Sequence, residues 1–163
     1  MAFRLPSRAA KYFEKIMNRG GGKTEENRLN LFDAYYYCAL IGFALEKPVN
    51  LESKNDSEFE SFMRQGYPED YIESRDYIAG LLIASEIKHS GTDETTPREL
   101  EKLMTKLINH ETPTRLSKLG IERLDAYAFA GIENLVETIS PPITLATWLV
   151  AFNDLLQQIS KNN

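Results

Sequence analysis

The sequence has few of the residues on which most catalytic sites depend. It contains one cysteine, one tryptophan and two histidines among its 163 residues. A single thiol cannot form a disulfide within the chain, and Cys38 lies in an apolar stretch that favours an unreactive core position. Because the chain has only two histidines, very few pairs of a nucleophile and a base are possible. These shortages argue against an enzyme.

Long apolar runs are also missing. The longest, 34–45, is shorter than the roughly 20 residues that a helix needs to cross a bilayer. The apolar residues before Pro6 are too few for a secretory signal, and nothing in the cysteine content requires an oxidising compartment. We therefore expect a cytoplasmic protein with no membrane span.

What the sequence does contain is helical periodicity. Apolar side chains recur every three or four residues in segments separated by short polar links, which is the pattern of amphipathic helices. The segments are 6–18, 27–46, 57–65, 68–89, 97–108, 121–139 and 144–160. Segment 27–46 is apolar on nearly every side, and the middle of 68–89 is similar. The sequence predicts an all-α fold, an irregular bundle of about six to seven helices around two highly apolar central helices.

Glycines in two of these helices predict close packing. Ala34, Cys38 and Gly42 lie four residues apart, so they share one side of their helix and let another helix approach. Gly80 interrupts the apolar middle of 68–89 and costs about 1 kcal/mol relative to alanine. We expect a neighbouring element to contact the backbone at both places.

Charge is distributed unevenly along the chain. The net charge is −5, but residues 1–28 carry seven Lys/Arg against three Glu, and the remainder carries twelve against twenty-one Asp/Glu. We interpret 1–163 as a single helical domain. In it a basic N-terminal helix and glycine-rich hinge, 1–22, precede an acidic helical body, 23–163.

The basic residues of the first segment are candidate binding residues. Four of them recur at helical spacing, opposite an apolar side that can dock on the body. The ligand could be nucleic acid, an acidic partner or a membrane surface. In the alternative interpretation there is no ligand, and the basic stripe is solvated or faces the acidic remainder of the chain. With the arginine that precedes the helix, the candidates are Arg4, Arg8, Lys11, Lys15 and Arg19.

A second candidate is an aromatic residue on the flank of the helix predicted over 121–139. Phe129 falls among the acidic residues Glu122, Asp125 and Glu133, beside the apolar stripe. An aromatic ring in such a place is typical of a protein-partner contact. Packing against a neighbouring helix is the equal alternative.

Two motif fragments suggest phosphate or DNA binding but lack the residues that would complete them. Gly22-Lys23-Thr24 ends like a phosphate-binding loop, yet Met17 occupies the position of the first glycine. Segment 114–135 has a glycine where a helix–turn–helix would turn. Its reading helix would present Glu122 and Asp125 to phosphate, which is electrostatically unfavourable.

A metal site is similarly incomplete. Glu86 and His89 have the Glu-x-x-His spacing of helical carboxylate-bridged sites, which need a second copy. The other histidine, His110, has Leu107 at the matching position. We predict neither a metal nor a cofactor.

Together these observations favour a non-catalytic protein–protein interaction protein. Our hypothesis is an accessory subunit, adaptor or immunity-type inhibitor of a bacterial multi-protein system, with a protein partner. The alternative is a nucleic-acid-binding protein that uses the basic N-terminal helix.

Overall fold

The computed structural model describes residues 3–18, 28–55, 58–61 and 66–162. These residues form a helical bundle with one small antiparallel sheet, which confirms the predicted fold class. The sheet pairs β1, Arg4–Pro6, with β2, Phe59–Ser61, and short 3-10 turns occupy Leu51–Ser53 and Glu69–Tyr71. The helices are α1 Ser7–Tyr12, α2 Leu31–Leu45, α3 Arg75–Ser90, α4 Pro97–Leu107, α5 Lys118–Thr138 and α6 Leu145–Asn162.

Helices α2 and α5 form the centre of the bundle, so the second central helix is α5 and not the one predicted over 68–89, whose counterpart α3 is less buried. In α5 every residue from 124 to 132 is buried, because other elements cover it on all sides. A Cβ added to Gly42 of α2 would overlap the backbone carbonyl of Tyr127, and one added to Gly131 of α5 would overlap that of Cys38. The close approach predicted at Gly42 is confirmed. Burial also raises the pKa of the Cys38 thiol, as expected for an unreactive core cysteine.

Local hydrogen bonds determine where α2 begins. The side chain of Asn30 accepts a hydrogen bond from the Asp33 amide at 2.9 Å, and the Asp33 carboxylate accepts one from the Asn30 amide at 2.6 Å. This reciprocal capping box satisfies amides that the first turn leaves without helical partners. The helix therefore starts at Leu31, later than the periodicity predicts.

The N-terminal segment is less helical than predicted. Helix α1 ends at Tyr12, because the chain beyond it turns to meet residue 29. The Leu29 amide donates to the Ile16 carbonyl, and the Asn18 amide donates to the Leu29 carbonyl, both at 2.8 Å. The apolar side of the segment, including Phe3 and Phe13, is buried in the same core as α2 and α5. The predicted glycine-rich hinge lies outside the described residues.

The helix predicted at 57–65 is wrong for its described part. Residues 59–61 form β2, with Phe59 opposite Pro6 and Ser61 opposite Arg4. The backbone of β1 needs a hydrogen-bonding partner, and this segment supplies it. A weak local periodicity gives no indication of a pairing with a strand more than fifty residues away.

Helices α3 and α4 contact each other and are joined by a short loop. Helix α3 ends at Gly91, whose φ of 65° is the left-handed conformation common after a helix, and α4 starts at Pro97 as predicted. The packing expected at Gly80 is wrong, since a Cβ added there would meet nothing within 4 Å.

Helix α6 closes the bundle with aromatic contacts. The Trp148 ring lies edge-on to Phe13 and Tyr37, with centroid separations of 5.2 and 5.1 Å, and its indole nitrogen donates to the Tyr12 hydroxyl at 3.2 Å. Such edge-on pairs add to the stabilisation from burial. No helix in the described ranges is long and apolar enough to span a membrane.

The close approach of α2 and α5 predicts a large effect of one methyl group. We expect Gly131→Ala to lower the free energy of unfolding by about 3 kcal/mol, because its Cβ has no space beside the Cys38 carbonyl. Gly80→Ala is the matched control and should raise it by about 0.5–1 kcal/mol, because helix propensity improves without a clash. Urea unfolding measures both, and equal effects would contradict the packing.

Candidate functional site

The basic candidates at the N-terminus have different surroundings in the structure. Arg4 lies in β1 and binds inward to Asp125. Arg8, Lys11 and Lys15 are exposed. Arg19 lies outside the described residues. Arg4 is therefore engaged in the fold and is not part of an exposed basic stripe.

Asp125 connects the N-terminal segment to both central helices. It is 1% exposed, and its carboxylate accepts hydrogen bonds from the Arg4 amide at 3.1 Å, the Arg4 Nε at 3.4 Å and the Tyr35 hydroxyl at 2.8 Å. Burial raises the pKa of Asp125 to about 7, although the bonds from Arg4 and Tyr35 act in the opposite direction. All three partners belong to the fold, so this carboxyl has a structural role.

Phe129 is buried and its ring is not presented at the surface. The Lys54 ammonium lies 4.5 Å from the ring centroid and the Arg8 guanidinium carbon lies 5.9 Å away, so cations cover the aromatic face. Lys54 also pairs with Glu133 at 2.9 Å. Of the two expectations for Phe129, the geometry corresponds to contact with neighbouring elements of the same chain.

In the incomplete Glu-x-x-His motif, the Glu86 carboxylate is hydrogen-bonded to other side chains of the protein. It accepts hydrogen bonds from Arg123 Nη2 at 2.6 Å and from the Tyr127 hydroxyl at 2.8 Å. Burial and the Glu86 carboxylate raise the pKa of Tyr127, which keeps this hydroxyl a donor. His89 is exposed. Within the described chain, no group of three or more His, Cys, Asp or Glu side chains has the arrangement of a metal site.

An apolar groove lies between α3 and α4 and is not filled by the core. We refer to it as the α3–α4 groove, and its volume is about 700 Å³. It follows from the sequence of α4, which carries an apolar stripe on one side of an otherwise charged helix. The apolar residues that line it are Ala79, Gly80 and Ile83 of α3, Leu100 and Met104 of α4, and Ile108 directly after α4.

The stripe of α4 is only partly covered by the rest of the protein. Within α4, Leu107 alone is buried, whereas Leu100 and Leu103 are half-buried and Met104 is 41% exposed. The opposite wall has open space above Gly80. An amphipathic helix normally places such a stripe against a partner surface, so the groove is an incompletely buried packing site.

The groove has acidic side walls. Asp76 in the first turn of α3 and Glu101 in α4 line it, and neither carboxylate forms an ion pair with another described residue. At the end of α4, Arg115 also lines the groove, and its Nη1 donates to the His110 carbonyl at 2.8 Å. The two helical walls therefore present negative charge beside an apolar floor.

The loop between α4 and α5 holds that end of the groove in place. Ile108 and Leu116 form an isolated antiparallel bridge, and Arg115 adopts a left-handed φ of 60° to make the turn. Gly120 lies in the first turn of α5 under the Leu107 carbonyl, and not at a turn between two helices. The arrangement considered for a helix–turn–helix is therefore not formed.

No protein-family model, curated protein or solved structure matches the chain. What the groove can bind has to follow from its own residues.

Sequence reasoning identified the stripe of α4 but not the groove. The spacing of Leu100, Leu103, Met104 and Leu107 was visible, as was the glycine in α3. The sequence did not show that the stripe and the glycine line the same groove, because this depends on how α3 and α4 turn toward each other after the loop that joins them. One indication of the groove was present in the sequence, since the apolar stripe is large for the short helix that carries it.

Asp125 predicts a pH dependence of stability with a definite sign. Its pKa of about 7 in the folded protein exceeds the value of about 3.9 in an unfolded chain, so the folded state binds the proton more tightly. The contribution of Asp125 to the free energy of unfolding should therefore fall as pH rises from about 4 to about 7 and then level off. The total fall is about 1.4 kcal/mol for each unit by which the pKa in the folded protein exceeds the pKa in the unfolded chain.

Asp125→Asn removes this titration while keeping an oxygen that can accept from Tyr35. We expect the difference in unfolding free energy, wild type minus variant, to decrease through the same pH window. Urea unfolding of both proteins between pH 4 and pH 8 measures it. Two curves that stay parallel across the window would show that Asp125 titrates as in an unfolded chain.

Proposed function

We propose that this chain is a non-catalytic protein-binding module whose α3–α4 groove accepts an amphipathic helix of a partner protein. The observation that carries the proposal is the incomplete burial of the α4 stripe, with Met104 41% exposed beside open space at Gly80. When a partner covers apolar surface of this kind, the complex is stabilised by roughly 25 cal/mol per Å² of apolar area buried.

The shape of the groove favours a helix as its occupant. Helix α4 has 11 residues, which corresponds to a length of about 16 Å, or three helical turns. Two packed helices with apolar residues at helical spacing leave a groove that a third helix can fill with its own i, i+3, i+4 and i+7 side chains. A small molecule is more often enclosed, whereas here Pro97, Glu101 and Met104 are exposed along the rim.

The charge of the walls specifies the partner further. Asp76 and Glu101 are both acidic, so a helix with Lys or Arg beside its apolar stripe would pair with them. The net charge of −5 acts in the same direction, because it attracts a basic partner during encounter. An accessory subunit, adaptor or immunity-type inhibitor of a bacterial multi-protein system would use such a surface to hold one component.

A displayed library of 18-residue helical peptides tests the proposal. One library has lysine beside a randomised apolar stripe, and a second has glutamate in place of lysine. We expect binding peptides to be enriched from the basic library. Met104→Glu should lower the affinity for these peptides by about tenfold or more, because the substitution places a charge in the apolar floor of the groove.

Val150→Glu is the matched control for this substitution. Val150 is an exposed apolar residue of α6, 64% exposed, and lies away from the groove residues. Peptide affinity should be unchanged in this variant, as measured by biolayer interferometry. Equal losses in both variants, losses in neither, or enrichment from the acidic library alone would each overturn the proposal.

Nucleic-acid binding through α1 is a second candidate, and one observation favours it. Arg8, Lys11 and Lys15 are exposed on the same short segment. Against it, Arg4 is engaged with Asp125, and the remaining cations are few for a phosphate-binding surface. Protein-helix binding is therefore our leading proposal.

Charge reversal of Lys11 and Lys15 distinguishes the two candidates. Deleting the segment is unsuitable, because Phe3 and Leu5 belong to the core. On the leading proposal, neither a 20-base-pair duplex nor a single-stranded RNA should bind at about 50 mM salt. Binding that weakens steeply with salt, is lost in Lys11→Glu/Lys15→Glu and persists in Lys102→Glu/Lys106→Glu would establish the nucleic-acid function instead.

A further inference from the structure

Gly80 is not required by the fold of the isolated chain. It lies in the middle of α3, where glycine is destabilising by about 1 kcal/mol relative to alanine. The left-handed glycines of the described chain are Gly66 and Gly91, so backbone conformation does not explain Gly80. Neither does packing, since an added Cβ would meet no atom within 4 Å.

The other helical glycines of the described chain follow one rule. Gly42, Gly120 and Gly131 each lie directly against a backbone carbonyl of another element, at Tyr127, Leu107 and Cys38 respectively. At each of them a Cβ would prevent the approach. Gly80 has the same helical setting but faces the open α3–α4 groove.

We infer that Gly80 is the point at which the partner helix crosses α3 with its backbone in direct contact. The inference rests on the proposed function and specifies how the partner is recognised. A helix that meets glycine can approach more closely than the usual 8–10 Å between helix axes, but only if it also presents a small side chain there. The partner helix therefore carries Gly, Ala or Ser at its crossing position.

The residues around Gly80 predict further residue types in the partner helix. Ile83 and Met104 flank the crossing point with apolar surface, so large apolar residues belong about one turn from the small residue. Asp76 precedes Gly80 by one helical turn on the same face of α3 and lines the same groove. A Lys or Arg about one turn from the small residue would therefore complement Asp76.

The test uses peptides selected from the basic library on the wild-type protein. Their aligned sequences should show one position restricted to Gly, Ala or Ser, with a basic residue three or four positions away. Gly80→Ala should lower the affinity of the protein for these peptides by about tenfold or more, and Gly80→Leu should lower it further. Neither substitution should disturb the fold of the free protein. Replacing the small residue of a peptide by leucine should weaken its binding to wild type to a similar extent.

Two measurements exclude trivial explanations. Thermal unfolding of Gly80→Ala should show a midpoint equal to or above that of the wild type, which rules out misfolding as the cause of lost affinity. Ala146→Leu is the matched control for Gly80→Leu, because Ala146 is an exposed small residue of α6 away from the groove. Peptide affinity should be unchanged in that variant.

The outcomes separate this inference from the proposed function. If Met104→Glu abolishes binding but both Gly80 variants bind as wild type does, the groove is the site and the crossing point is overturned. If neither the Met104 nor the Gly80 variants change binding, the groove itself is overturned. An enriched pool without a small residue at any fixed position would also overturn the crossing point.

Discussion

The backbone contact between α2 and α5 is the constraint on which the rest of the structure depends. Gly42 and Gly131 let the two helices approach until carbonyl groups take the space of side chains. Every other helix of the described chain packs against at least one member of this pair. Because interiors are close-packed, a change in that separation would propagate to all of them.

The two most deeply buried polar side chains of α5, Asp125 and Tyr127, form hydrogen bonds with distant residues. Asp125 receives donors from β1 and α2, and the Tyr127 hydroxyl donates to Glu86 of α3. Leaving such groups unpaired would cost several kcal/mol, so they specify where the N-terminal segment and α3 lie. The most strongly perturbed carboxyl therefore has a structural explanation. The incompletely buried apolar surface lies instead on α4, whose main contacts among the described elements are with α5 and α3 and leave Met104 of its stripe 41% exposed.

Gly42 and Gly80 show that close packing at a helical glycine cannot always be predicted from the local sequence. Close packing was predicted at Gly42 from its spacing with Ala34 and Cys38, and at Gly80 from the cost of glycine in a helix. The prediction was confirmed at Gly42, where Tyr127 is the neighbour, and was wrong within this chain at Gly80. In our proposal the neighbour of Gly80 belongs to another molecule, which one sequence cannot reveal.

The helical fold class, the start of α4 at Pro97 and the apolar stripe of α4 could all be predicted from the sequence, because helix periodicity and capping act over three or four residues. Three other features emerged from the folded chain alone: Phe129 lies beneath Lys54, Arg4 binds Asp125, and residues 59–61 pair with β1. These contacts join residues that are far apart in the sequence. Arg4 and Asp125 are 121 residues apart, and their contact exists only after the bundle has closed around α5.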